Sequence, residues 1–292
     1  MIYQTAQDWR NAAKKRVLLF GMSGLGKTHV ANMLRGAPQS EGGGWFHYSV
    51  DYRIGTRYMG EHIVDNFKRE AMRNPFLKQL LMSDSIYIAS NITFNNLAPL
   101  STYLGKPGNP ASAGLGFAEY LLRQEQHRVA EVASLLDTRH FIDRAQALYG
   151  YDHFVCDSGG SICEVVNPDD PADPVLQALS DNLLLVWIKG SDSHTAELIR
   201  RFDRAPKPMY YQPAFLSGLW SRYLAENNLS EAQVNPDAFI RWTYAEAMAH
   251  RRPRYAAMAR NWGVTVTAEA VTALQSARDF EALITAALAA RR

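Results

Sequence analysis

The stretch Arg16-Val-Leu-Leu-Phe-Gly-Met-Ser-Gly-Leu-Gly-Lys-Thr28 decides the reading of this chain. Val17 to Phe20 form an apolar run without polar alternation. A strand covered on both faces has that pattern, and such strands belong to parallel sheets. From Lys27 onward the residues read as a helix, stopped by Gly36 and Pro38. Between strand and helix lies Gly21-Met22-Ser23-Gly24-Leu25-Gly26-Lys27-Thr28, which matches G-x-x-x-x-G-K-[ST] at every fixed position.

Each fixed position has a physical reason. The glycines let the backbone turn tightly, so that successive N–H groups point inward at phosphate oxygens. The helix that opens near Lys27 adds its positive end. Lys27 supplies a point charge for the β- and γ-phosphates, and the Thr28 hydroxyl is placed to ligate Mg2+. With glycine near ~7% of residues, the four fixed positions coincide by chance about one time in a hundred in a chain of this length. The flanking strand and helix reduce that further.

The loop, its strand and its helix together resemble the P-loop NTPase superfamily. The resemblance is specific for residues 16–36 and topological elsewhere. It implies a nucleoside triphosphate, with ATP expected because no base-reading N-K-x-D motif of GTPases is present.

Further apolar runs extend the pattern. Trp45–Val50, His153–Asp157, Leu183–Ile188 and Val264–Thr267 read as strands, separated by helical stretches. The expectation is a three-layer α/β fold with a mainly parallel five-stranded sheet. The order becomes 2-3-1-4-5 if the strand at 153–157 lies beside the strand at 16–20. We expect one domain over residues 1–292, with a helical acceptor-site insertion at about 58–150 and a lid and helical cover at about 192–258. Within these, residues 117–149 read as continuous helix, and the Pro- and Gly-bearing stretch from Ala98 to Gly114 reads as loop.

Other candidate residues follow from these placements. Asp157 ends an apolar strand, as does the acid that holds Mg2+ through water in proteins of the resembled superfamily; the bland reading is a strand-end Asp capping a turn. No acid follows Asp157 directly, which argues against a motor ATPase. By resemblance to small-molecule kinases, Asp51 would orient an acceptor hydroxyl, and Arg53 and Arg57 would bind an anionic group. The alternative is a surface Asp–Arg pair of little worth. Arg200 and Arg204, near Arg201 and Lys207, stand where kinases of this kind carry lid arginines that neutralise the transferring phosphoryl group. A solvated basic helix end is the competing reading. It is also the favoured reading for Arg251-Arg-Pro-Arg254.

The bulk numbers set limits. A formal charge of +2 over 292 residues gives no global field for nucleic acid or an anionic membrane. Apolar residues make up 47% and charged residues 21%, as in ordinary globular proteins. Two cysteines, Cys156 and Cys163, make no disulfide framework. The N-terminus has no signal-like apolar stretch, and no run reaches the ~18 residues that span a bilayer. The expectation is a cytoplasmic enzyme using ATP and Mg2+, with a nucleoside, nucleotide or sugar-like acceptor and no nucleic-acid partner. A homodimer is compatible with the sequence. A partner-coupled ATPase and a nucleotide-binding module with slow hydrolysis remain the alternatives.

Overall fold

The computed structural model describes residues 1–291. Its centre is a five-stranded, all-parallel sheet: β1 (Arg16–Phe20), β2 (Trp45–Ser49), β3 (His153–Asp157), β4 (Leu184–Lys189) and β5 (Gly263–Thr267). The order is β2-β3-β1-β4-β5, the expected 2-3-1-4-5. Each strand lies within one residue of its expected position at either end. The apolar runs mark them because both faces are covered: Val17, Leu18, Leu19, Phe20, Leu184, Leu185 and Val186 are fully buried.

The helices, in chain order, begin with α1 (Ala6–Asn11), α2 (Lys27–Gly36), α3 (Val50–Arg53), α4 (Gly60–Ala71), α5 (Pro75–Met82) and α6 (Ala98–Leu104). They continue with α7 (Phe117–Leu136), α8 (Thr138–Tyr149), α9 (Pro174–Ser180) and α10 (Asp192–Arg204). The last four are α11 (Pro213–Asn227), α12 (Pro236–Trp262), α13 (Ala268–Thr272) and α14 (Ala277–Ala289).

Three local expectations need correction. Residues 117–149 form two helices, broken at Asp137, rather than one. Ala98–Leu104 is helical although it carries a proline. Pro99 sits in the first turn, where a missing N–H costs nothing. The strand read as Trp45–Val50 ends at Ser49, and Val50 already opens α3, followed by a π-helical turn over Ile54–Tyr58. Asp51 and Arg53 are therefore helical residues and not strand ends.

The chain folds as two compact units. The first comprises Met1–Val50, Val132–Ala205 and Tyr244–Arg292 and contains the whole sheet. Here α2 packs on β2 and β3, α9 on β4, and α14 on α1 and β5. The second comprises Asp51–Glu131 and Pro206–Thr243 and contains no named strand among the described residues. Arg123 organises it. This buried guanidinium donates to Glu119 Oε1 at 2.8 Å, Asn66 Oδ1 at 3.1 Å and the Tyr103 carbonyl at 2.5 Å. Gln124 adds a second tie, accepting from the Tyr211 N–H at 2.9 Å.

Candidate functional site

The Gly21–Thr28 loop joins β1 to α2 in the first unit. Gly21, Gly24 and Gly26 have φ of 136°, 83° and 94°, a region that side chains with a β-carbon avoid. Gly21 is under a second constraint, because a β-carbon there would lie 2.7 Å from the Ile188 carbonyl oxygen. Gly26, at the N-cap of the ten-residue helix α2, makes no side-chain cap bond to the first turn, and the positive end of the helix dipole faces the loop.

Lys27 is buried, and its ammonium donates to the carbonyls of Gly21 at 2.8 Å and Met22 at 2.9 Å. The charge is held across the loop. The Thr28 hydroxyl donates to Asp157 Oδ2 at 2.6 Å. This contact joins residues 129 apart, because β3 lies beside β1 with Leu19 level with Asp157. The residue after Asp157 is fastened to the same strand: Ser158 N–H and Oγ both donate to the Leu19 carbonyl, at 3.2 and 2.9 Å.

Close packing holds the turn after β3 against the loop. A β-carbon at Gly160 would sit 3.2 Å from Ser23 Oγ and 3.7 Å from Arg251 Nη1. Helix α12 grips this turn from behind. Arg251 forms a buried ion pair with Glu164, and Tyr255 donates its hydroxyl to the Gly160 carbonyl. Arg254 donates to the carbonyls of Cys163 at 2.6 Å and Val166 at 2.7 Å. Positions 251, 254 and 255 share a helix face at three- and four-residue steps. Arg251-Arg-Pro-Arg254 is therefore not a solvated helix end. It lies inside α12, which runs on to Trp262. Burial works against charge on Arg251, but the Glu164 carboxylate outweighs it and holds the guanidinium firmly protonated. Burial also pushes the Cys163 thiol up to about 12 and raises the Tyr255 phenol well above its usual value.

The lid candidates sit on α10. Leu198 lies against Gly24 of the loop, and Leu25 of the loop lies against Gly190, just ahead of the helix. Glu197 takes both Arg200, at 2.6 Å, and Arg201, at 2.8 Å, and all three side chains are well exposed. Arg204 ends the helix at its negative pole. Arg252, within the stretch that reads by sequence as a solvated helix end, has a defined place. It pairs with Asp192 at 2.8 Å and lines a cavity of about 280 Å³ together with Met22, Leu25, Trp187, Lys189 and Tyr255.

Asp51, Arg53 and Arg57 belong to the second unit. There Arg53 stands 5.6 Å from the Tyr58 ring, and Tyr52 stacks on Phe94 at 4.6 Å. The same unit holds a polar cleft of about 720 Å³, lined among others by Ser101, Thr102, Lys106, Ser112, Lys207 and Asp237.

Of the residues singled out by sequence, the structure thus brings together Gly21–Thr28 and Asp157 in one place. Sequence reasoning does not single out His47 or Glu164, and it reads Arg251 as part of a solvated helix end. His47 lies buried on β2 with Nε2 3.8 Å from Asp157 Oδ2. No local pattern announces these residues, since each acquires its neighbour across strands or across 87 positions of chain. No group of three or more His, Cys, Asp and Glu is placed to hold a metal ion among the described residues. Nor is any helix among them long and apolar enough to cross a membrane. Comparison with family models, curated proteins and solved structures finds no match to this chain.

Proposed function

We propose that the chain is a P-loop kinase that transfers a phosphoryl group from ATP to a small-molecule acceptor with Mg2+. One observation carries the reading. Three positive-φ glycines shape a turn between a central parallel strand and an uncapped helix N-terminus, and Thr28 in that turn meets the strand-end Asp157 at 2.6 Å. A helix N-terminus, a buried ammonium and a hydroxyl–carboxylate pair suit a polyphosphate with a divalent cation.

In this reading Lys27 turns from the Gly21 and Met22 carbonyls to the β- and γ-phosphates. Thr28 and Asp157 hold Mg2+, Asp157 through water. When bound, the ion neutralises charge on the phosphate oxygens. Positioning and charge carry the rate, since phosphoryl transfer asks little covalent chemistry of the protein. Arg200 and Arg204 are the candidates for charge on the transferring group. For that role Glu197 must release Arg200. The acceptor roles of Asp51, Arg53 and Arg57 rest on the superfamily resemblance and form part of the proposal.

ADP release measured with and without a panel of nucleosides, nucleotides and sugars tests it. Acceptor-dependent release is the expected outcome. Equal release with and without every acceptor would make the chain an ATPase, and no turnover or binding of ATP would remove the reading altogether.

A further inference from the structure

The imidazole of His47 lies beside the Asp157 carboxylate, which meets the Gly21–Thr28 loop at Thr28. His47 stands opposite Val155 in the β2–β3 register, and Ser49 stands opposite Asp157. Residues two apart on a strand share a face, so His47, Val155 and Asp157 lie on the same side of the sheet. Helix α2, which carries Thr28, packs against β2 and β3. His47 has 1% of its side chain exposed and Asp157 has 8%. The nearer carboxylate oxygen, Oδ2, is the same atom that accepts the Thr28 hydroxyl.

Position 47 sits in an interior that an aliphatic residue would fill at no desolvation cost, whereas a buried imidazole costs free energy unless its polarity is used. A carboxylate turns easily about its last bond, where the torsional wells are broad. Asp157 therefore needs something besides Thr28 to hold its plane when the Thr28 oxygen is engaged elsewhere. At 3.8 Å, Nε2 is outside hydrogen-bond range, and a shift of about 1 Å brings it within range.

We propose that His47 is a positioning residue for Asp157, donating from Nε2–H to Oδ2 so that the carboxylate stays aimed at the divalent cation while Thr28 ligates it. The inference rests on the kinase reading, because it assigns His47 a place behind that reading's metal-holding acid. Partners that orient a direct metal ligand change metal affinity by about 10–100-fold when removed, and His47, behind an acid that holds the ion through water, is expected near the lower end of that range.

The test uses the full chain with ADP, which binds without turnover, and Mn2+ as a paramagnetic probe. His47→Phe keeps a ring but removes the donor, and His47→Gln keeps a donor. His47→Phe is expected to weaken Mn2+ binding to the ADP complex by about tenfold or more, with metal-free ADP affinity unchanged, and His47→Gln is expected to recover most of the loss. In an Asp157→Asn background, His47→Phe should cost nothing further. Wild-type Mn2+ affinity in His47→Phe would overturn the inference, and so would a His47→Gln variant as weak as His47→Phe. Should His47→Phe not fold, nitrogen NMR of the wild-type protein decides. A proton on Nε2 of His47 that moves on adding Mn2+-free Mg2+ and ADP supports the inference, and a bare Nε2 overturns it. A wild-type protein that binds no ADP at all would instead sink the kinase reading, and the inference with it.

Discussion

Lys27 shows how much one side chain is asked to do in the loop. Its ammonium is buried and bonded to two loop carbonyls, so it keeps the turn closed and carries the charge a polyphosphate would meet. Hydrogen bonds to charged groups are worth about 1.5–3 kcal/mol each. We predict that Lys27→Ala weakens ATP binding by about tenfold to a hundredfold, measured by calorimetry. Affinity equal to wild type would exclude the loop as the phosphate site. Lys27 and Thr28 were legible in sequence because their roles are set by spacing from the three glycines. His47 and Arg251 were not, because nothing within several residues of either indicates a partner. Each partner, Asp157 or Glu164, arrives from a distant segment.

At the scale of elements, β3 is fastened to the β1 segment at both of its ends. At its C-terminal end Asp157 meets Thr28, and at its start His153 Nδ1 accepts the Lys15 N–H at 2.9 Å just before β1. That bond requires a neutral Nδ1. Burial first, and the Lys15 charge second, lower the His153 pKa below its usual value. A lowered histidine pKa means the unfolded chain binds the proton more readily, so stability rises with pH through this window. The contribution is complete above the unfolded value of about 6.5 and is lost as pH falls through the lower folded value. The melting temperature should therefore fall on acidification below about pH 6.5, and His153→Asn should flatten that part of the profile. An unchanged slope in the variant would assign the acid sensitivity elsewhere. Helix α12 works at the same scale. By sequence its arginines read as a solvated helix end in a near-neutral chain, since a helix face announces its spacing and not what it will be packed against. Pro253, which by itself would mark a helix boundary, sits inside α12.

For the whole molecule, the Gly21–Thr28 loop, Asp157 and the entire sheet belong to one unit, built from three separate stretches of chain. A ligand that binds only the folded form stabilises it by about 2.7 kcal/mol at a hundred times its Kd. ATP with Mg2+ at that excess should raise the midpoint of the first unit's unfolding by several degrees, at about 2–4 °C per kcal/mol for a unit of this general size. Asp157→Asn should lose the part of the shift that needs Mg2+ and keep the metal-free part. A midpoint that ATP and Mg2+ leave in place would count against the site.

What the sequence determined by itself is local. Short apolar runs placed all five strands to within about a residue at each end, because a strand covered on both faces can admit little else, and glycine spacing placed the loop, because only glycine accepts those backbone angles. The strand order followed from one added assumption, that the acidic strand lies beside β1. Only the tertiary structure decided that Ser49 rather than Val50 ends β2, that 51–131 and 206–243 form a unit of their own, and that His47, Thr28 and Asp157 converge. Periodicity runs along one dimension of the chain, whereas these contacts join residues up to 129 positions apart and are selected by how buried faces fit together.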